Sequence, residues 1–265
     1  MYEPLLMQTV AFGPNQFAYT KGRGSRDAIA FLTLTWLMGF DDKNKFAVFC
    51  SDVSAAFDRV RQDTMENKLK AKGLHPRVCH VLSSWLALRT ATVVVAGAAS
   101  RSWNLQDMVY QGTALGPQLW NIFFEDAAYA VRSHGFNEII YADDLNAYRA
   151  YPLKTPNAAI KEASRRCQGG LHTWAVPNQV TFDAAKESHH ILSRTPDAEG
   201  GSFRILGALF DCKLIMNEAV HELVVAAKWK IQTILRTRHF MDTDSLVLAY
   251  KSQVLYFLEH RTGAI

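Results

Sequence analysis

The chain holds 265 residues, 49% of them hydrophobic and 20% charged, with 15 Gly and 8 Pro. That balance excludes a disordered, collagenous or coiled-coil chain, and the length excludes a small scaffold stapled by disulfides. The net charge of +4 suits a polyanionic partner but lies far below that of a basic tail.

The stretch up to Gly24 reads as irregular. A helix is predicted from Ser25 to Met38, with Ser25 as its cap, Ile29, Leu32 and Trp36 on one face and Gly39 closing it. Phe46 to Ser51 is a continuous apolar run of the kind buried on both faces of a sheet, and it ends at Asp52. Helices are predicted from Asp63 to Lys72, stopped by Gly73, and from Pro76 to Leu88, where Val78, Leu82, Trp85 and Leu86 share a face. Lys68, Lys70 and Lys72 read as solvent-facing. A β-branched strand, Thr90 to Ala96, turns at Gly97 toward a second one near Trp103 to Val109. Pro117 opens a helix to about Arg132, ending before Gly135, and Asn137 to Tyr148 reads as a hairpin. Thr155-Pro156 starts a helix to about Trp174, weakened at Gly169-Gly170. Short strands at Val180 to Phe182, Ser188 to Leu192 and Phe203 to Phe210 precede a helix near Asn217 to Arg238. Strands interleaved with helices, with a hairpin among them, argue for an α+β fold, an antiparallel sheet carrying helices on one face.

Cys50, Cys79, Cys167 and Cys212 lie far apart with no C-x-x-C pair, so reduced, buried thiols are expected. The longest uncharged stretch, Met108 to Phe124, is too short and too broken by Gly112, Gly116 and Pro117 to span a bilayer, and no membrane partner is expected. The usual glycine-rich nucleotide loops are absent from the sequence.

The chemistry concentrates in carboxylates. Ile139 to Tyr148 places Asp143-Asp144 between two apolar arms, at the tip of the expected hairpin. Like charges about 4 Å apart repel by roughly 4 kcal/mol at an effective dielectric of 20, so such a pair wants a cation. Asp52 ends another buried strand. If the two strands are neighbours, three carboxylates meet at one sheet edge and suit hard divalent ions such as Mg²⁺. An Asp-Asp pair in a turn is also ordinary turn chemistry, and only its company decides between the two.

That company is a set of ordered motifs. Asp52-Val53-Ser54-Ala55-Ala56-Phe57-Asp58, then Tyr110-Gln111-Gly112-Thr113-Ala114-Leu115-Gly116-Pro117-Gln118-Leu119-Trp120-Asn121, then Tyr141-Ala142-Asp143-Asp144 resemble the first three palm motifs of reverse transcriptases of the non-LTR (LINE-like) retrotransposon type. Trp174, Asn178 and Lys186 resemble the fourth motif, and Leu206-Gly207 the primer-grip turn. Gln16-Phe17 with Lys21 to Gly24 and Asp27-Ala28 resembles the fingers segment before the first motif. The family's more upstream fingers motif, an N-[WY]-R-P-I-S-like stretch, has no counterpart, which leaves the source of triphosphate-gripping cations open among Lys21, Arg23 and Arg26.

The resemblance implies a right-hand polymerase palm with partial fingers and the start of a thumb. Its divisions would be residues 1–45 partial fingers, 46–58 palm, 59–105 an insertion of fingers and palm, 106–213 palm and 214–265 the start of the thumb. It implies an RNA-directed DNA polymerase that adds deoxynucleotides to a primer 3′-hydroxyl with two Mg²⁺, or Mn²⁺ in their place, held by Asp52, Asp143 and Asp144. Lys186 would give a proton to the leaving pyrophosphate. Val53, Phe57, Gln111 and Gly112 would contact the nucleotide, with Phe57 excluding a 2′-hydroxyl. Leu206, Gly207, Lys228 and Lys230 would contact primer and template. RNA-dependent RNA polymerases share the palm but usually hold Asp at the position of Phe57 and Ser-Gly at that of Gln111-Gly112. The implied partners are an RNA template, a DNA primer, deoxynucleoside triphosphates and further polyprotein segments: an endonuclease and the remaining fingers and thumb. The alternative is a catalytically inactive, nucleic-acid-binding remnant of such a polymerase.

Overall fold

The computed structural model of the chain describes residues 12–87, 89–105 and 108–262. The first eleven residues of the irregular opening, the end of the helix expected to reach Leu88 and two residues of the strand expected near Trp103 to Val109 lie outside the described residues.

In chain order, helix α1 (Ser25–Asp41) leads into strand β1 (Asn44–Asp52), a short 3₁₀ turn (Ala56–Arg59), and helices α2 (Gln62–Ala71) and α3 (Pro76–Leu86). Four short strands follow, β2 (Arg89–Ala91), β3 (Val94–Val95), β4 (Ala98–Ala99) and β5 (Trp103–Leu105), then helices α4 (Gly116–Phe124) and α5 (Ala127–Arg132). Strands β6 (Asn137–Tyr141) and β7 (Asp144–Pro152), helix α6 (Asn157–Asn178), and strands β8 (Ser188–Leu192), β9 (Phe203–Ile205) and β10 (Ala208–Phe210) come next. Helices α7 (Asn217–Thr237), α8 (Thr243–Tyr250) and α9 (Tyr256–Thr262) complete the described chain. The main sheet has the order β6-β7-β1-β8, and β1 pairs antiparallel with β8 from Phe46↔Leu192 to Cys50↔Ser188.

Several expectations are corrected. Gly24, not Ser25, caps α1, because its N–H donates to Asp27 Oδ2 at 2.7 Å. Gly39 does not end that helix. A Cβ there would lie 2.2 Å from the Phe46 ring, so the glycine makes room for an aromatic side chain. Gly169 and Gly170 lie inside α6, as expected, and a Cβ on Gly170 would lie 2.2 Å from His134. The helix expected from Pro117 to Arg132 is two helices that break at Glu125-Asp126, whose carboxylates are held by Lys72 at 2.8 Å and Lys68 at 2.7 Å. Val180 to Phe182 forms a single bridge from Phe182 to Val53 rather than a strand. The strand expected from Phe203 to Phe210 is a hairpin, β9-β10, and the β-branched ribbon is two separate short antiparallel pairs, β2-β5 and β3-β4.

Contacts divide the chain into two compact units. One comprises residues 1–21, 51–145 and 166–187, the other 22–50, 146–165 and 188–265. The core of the first is built on Met65, Leu69, Leu82, Trp120, Phe123 and Phe124, all buried. Lys68 belongs to it too, contrary to the solvent-facing reading. Its side chain is 14% exposed, donates to Phe123 O at 2.6 Å and Asp126 Oδ1 at 2.7 Å, and burial lowers its pKa. Lys72 pairs with Glu125, and Lys70 keeps its solvent position in an i,i+4 pair with Glu66. The core of the second unit centres on Trp36, whose ring meets Phe203 and Phe210 edge-on at 6.4 and 5.5 Å. Buried Lys45 is answered there by Asn157 at 2.8 Å and by Asp197, whose carboxyl the hydrogen bonds from Lys45 and Thr195 hold at a pKa of about 2. All four cysteines are free and buried. No helix among the described residues is long and apolar enough to cross a membrane.

Candidate active site

The site forms inside the first unit. Apolar strand β1 buries every residue from Lys45 to Ser51 and brings Asp52 out, half-buried, at its end. Beyond it the chain turns sharply. Ala55 takes a positive φ of 53°, Ala56 to Arg59 form the 3₁₀ turn, and Ser54 N–H donates to Thr181 O at 2.8 Å. Val53 is buried, 2% exposed, and bridges to Phe182. The Phe57 ring stacks on Trp120 at 5.8 Å, and its carbonyl accepts from Val109 N–H at 2.8 Å.

Strands β6 and β7 are joined by Ala142-Asp143, with Asp144 as the first residue of β7. Ala142 has φ +57°, a left-handed conformation that costs a side-chain-bearing residue about 1–2 kcal/mol. Two buried side chains hold it there. Gln16 Oε1 accepts from Ala142 N–H at 3.1 Å, and Trp120 Nε1 donates to Ala142 O at 2.9 Å. Asp143 follows. Its pKa is raised by burial and by the like charge of Asp52, against a smaller lowering by Lys186.

Lys186 reaches the same place from the loop before β8. That loop hangs on Asp52, whose backbone carbonyl accepts from Asp183 N–H at 2.9 Å. Glu187, half-buried, anchors it by accepting from Gln168 at 2.9 Å and meeting His172 at 2.8 Å. Lys186 Nζ then donates to Asp52 Oδ2 at 2.5 Å, and this bond with the Asp52 charge raises the lysine pKa. Asp52, Asp143 and Lys186 are thus brought together. Among the described residues no three His, Cys, Asp or Glu side chains form a ready metal cage, so Asp144 does not close one with Asp52 and Asp143. The donor set nonetheless fits a hard cation. The Asp52 charge adds to the cost of ionising Asp143, and the Lys186 ammonium already answers Asp52.

Gln111 and Gly112 lie exposed in the loop before α4, and Gly112 has φ +77° with open space around its Cα. The left-handed backbone angle alone favours glycine here. Thr113 braces the loop, donating to Tyr110 O at 2.6 Å and accepting from Gly116 N–H at 3.2 Å. Trp174 and Asn178 are structural: Trp174 Nε1 donates to Asp126 Oδ1 at 3.1 Å, and Asn178 donates back to Trp174 O at 2.8 Å.

In the second unit, Leu206 and Gly207 form the two-residue turn of β9-β10, with φ of 51° and 81°. His260 meets Leu206 O at 3.3 Å, and Arg204 donates to Gly207 O at 3.3 Å. Lys228 is exposed on α7, while Lys230 lies over the Phe257 ring at 4.9 Å. Gln16, Trp120 and Glu187 organise the first unit's site, yet sequence reading gives them no role. Gln16 and Trp120 stand in the quoted motifs, but a hydrogen bond to a backbone leaves no spacing signal.

A family model described as reverse transcriptase (RNA-dependent DNA polymerase) matches residues 1–169, so the chain belongs to the reverse transcriptase family. The match contains the three ordered motifs, while Trp174, Lys186 and Leu206-Gly207 lie beyond it. The chain is 27% identical over 234 residues to the RNA-directed DNA polymerase from mobile element jockey of Drosophila funebris, covering 79% of this chain and 25% of that protein. It is 34% identical over 167 residues to a probable RNA-directed DNA polymerase from transposon BS of Drosophila melanogaster, covering 61% and 18%. The chain therefore spans a quarter or less of these two relatives' length. Among solved structures, apo telomerase from Candida tropicalis truncated from its C-terminal domain superposes with a TM-score of 0.57 at 12% identity, covering 78% of this chain and 41% of that one. Telomerase from Candida albicans in complex with a fragment of telomeric RNA gives 0.55 at 13% identity, covering 79% and 36%. The fold is that of a right-hand polymerase. Members of the family generally work with divalent metal ions.

Proposed function

We propose that the chain is the catalytic palm of a non-LTR retroelement reverse transcriptase, adding deoxynucleotides to a DNA primer on an RNA template. The observation that carries this is the meeting of Asp52, Asp143 and Lys186 in one unit, with Phe57 on the turn that follows Asp52.

Asp52 and Asp143, with Asp144 beside them in sequence, would hold Mg²⁺ ions, or Mn²⁺ in their place. Bound as a pair, such ions supply charge stabilisation to the attacking 3′-hydroxyl and to the leaving pyrophosphate. Lys186, kept protonated by Asp52, is set to move onto the pyrophosphate and give it a proton, help typically worth about 10²–10⁴-fold. Phe57, backed by Trp120, presents a rigid ring against the sugar and excludes a 2′-hydroxyl. Gln111 and Gly112 form the exposed loop for the nucleotide, and Val53, buried next to Asp52, would back the nucleotide site. Leu206 and Gly207 would contact the primer end, with Lys228 and Lys230 near the phosphates. The residue divisions implied by the resemblance, from partial fingers through palm to the start of a thumb, belong to this reading. So do the endonuclease and the further fingers and thumb segments of a parent polyprotein.

The test is extension of a DNA primer on an RNA template by the purified chain with Mg²⁺ and deoxynucleotides, beside Asp143→Asn. Extension that the variant loses supports the reading. Primer–template binding without extension at any Mg²⁺ or Mn²⁺ concentration would replace it with the inactive remnant.

A further inference from the structure

We infer that Gln16 and Trp120 are positioning residues for Asp143: together they fix both ends of the Ala142 backbone and so aim the acid that follows. The inference rests on the proposed reverse transcriptase reading for what the acid does, but not for the geometry.

Ala142 stands at φ +57°, where glycine would be the ordinary choice. Its N–H donates to Gln16 Oε1 at 3.1 Å, and its carbonyl accepts from Trp120 Nε1 at 2.9 Å. The carbonyl is half of the peptide plane that leads into Asp143. Fixing it fixes the direction in which the Asp143 side chain leaves the turn. All three partners are buried, Gln16 at 3%, Trp120 at 0% and Ala142 at 8% exposure, so water does not readily replace either bond.

Each side chain is itself held. Gln16 bridges in parallel to Ile140, one strand position from the turn, through Phe17 N–H to Ile140 O at 2.9 Å and Ile140 N–H to Asn15 O at 3.0 Å. Its Oε1 also accepts from Ala18 N–H at 3.0 Å, and Asn121, next to Trp120, donates to Ala18 O at 2.9 Å. The Trp120 ring lies against Phe57 on one side and Phe124 on another, at 5.8 and 5.2 Å. One indole therefore supports both the acid turn and the ring proposed to select the sugar, through separate groups: its N–H for the first, its face for the second.

Three variants separate positioning from mere stability. Gln16→Met keeps the shape and removes the acceptor. It should lower the maximal rate of nucleotide addition about 10- to 100-fold while the nucleotide KM moves less than about 3-fold. Adding Ala142→Gly to Gln16→Met should recover at least half of that loss on a logarithmic scale, because glycine adopts the left-handed angle without the clamp. Trp120→Phe keeps an aromatic face and loses the N–H, so it should lower the rate comparably with sugar discrimination unchanged. An unaltered rate in Gln16→Met, or a loss that Ala142→Gly does not recover, would overturn the inference. If the wild type extends no primer, the reverse transcriptase reading fails separately. The clamp is then judged by hydrogen exchange of the residue 142 amide, which donates to Gln16 Oε1 in the wild type and should exchange at least about 10-fold faster in Gln16→Met. An unchanged exchange rate in the folded variant would overturn it.

Discussion

Two tight turns of this molecule solve the same backbone problem differently. The Ala142-Asp143 turn holds an alanine at positive φ with buried hydrogen bonds from Gln16 and Trp120. The Leu206-Gly207 turn places glycine at one of its two positive-φ positions and leaves its carbonyls to Arg204 and His260 near the surface. The first spends three buried residues on one backbone angle, and the second uses the cheapest residue for it. The difference is informative because the first turn delivers a carboxylate to chemistry that tolerates little displacement. The second meets its proposed ligand through exposed atoms.

The largest effect is expected at the acid. Asp143→Asn should reduce nucleotide addition by about 10³-fold or more, since an ion's several kcal/mol of charge stabilisation goes with its ligand. The fold should persist and gain stability at neutral pH. Asp143 is raised by burial and by Asp52, so its ionisation costs the folded state as pH climbs through the raised value, and asparagine removes that cost. Thermal unfolding at pH 7 measures it, and a lower midpoint in the variant would contradict the assignment.

A smaller effect is expected at Phe57. Phe57→Val should loosen discrimination against ribonucleotides by about 10- to 100-fold with little change in deoxynucleotide addition, read from competing single-nucleotide incorporations. Equal discrimination would remove the ring from the sugar's surroundings.

The two units should also part in acid. Burial holds His190 of the second unit at a pKa of about 4, below the ordinary histidine value of 6.5. A depressed histidine contributes stability that is complete above 6.5 and lost as pH falls toward 4, about 3 kcal/mol in all. Asp143 has the opposite sign. Hydrogen exchange at pH 7 and pH 4.5 should therefore show protection falling around Ser188–Leu192, and His190→Gln should flatten that dependence.

The smallest expected effect sharpens the turn comparison directly. Leu206→Gly should raise stability by about 1 kcal/mol, because it relieves the remaining side-chain-bearing residue at positive φ in that turn. A fall in the unfolding midpoint would mean that the Leu206 side chain contributes more than its backbone costs.

What the sequence revealed follows the same line. The acids, the hairpin between them and strand β1 were legible because charge at the end of an apolar run is a pattern along the chain. Gly39 was misread as a helix stop because its reason, room for the Phe46 ring of the following strand, is a packing contact and not a local signal. Lys68 read as solvent for the same reason: its acceptors are Phe123 and Asp126. Gln16 and Trp120 were visible as motif letters, but their work is done on a backbone more than twenty residues away. Helices α8 and α9 were not anticipated at all, since Leu248, Tyr250 and Tyr256 leave apolar residues exposed and blur any amphipathic period.

The most direct test of the central claim, that Asp52 and Asp143 form a divalent-cation site, is Mn²⁺ binding followed by paramagnetic resonance in wild type, Asp143→Asn and Asp52→Asn. The account predicts saturable binding that Mg²⁺ competes away and that either variant weakens by at least about 10-fold. Equal binding by all three proteins would contradict it.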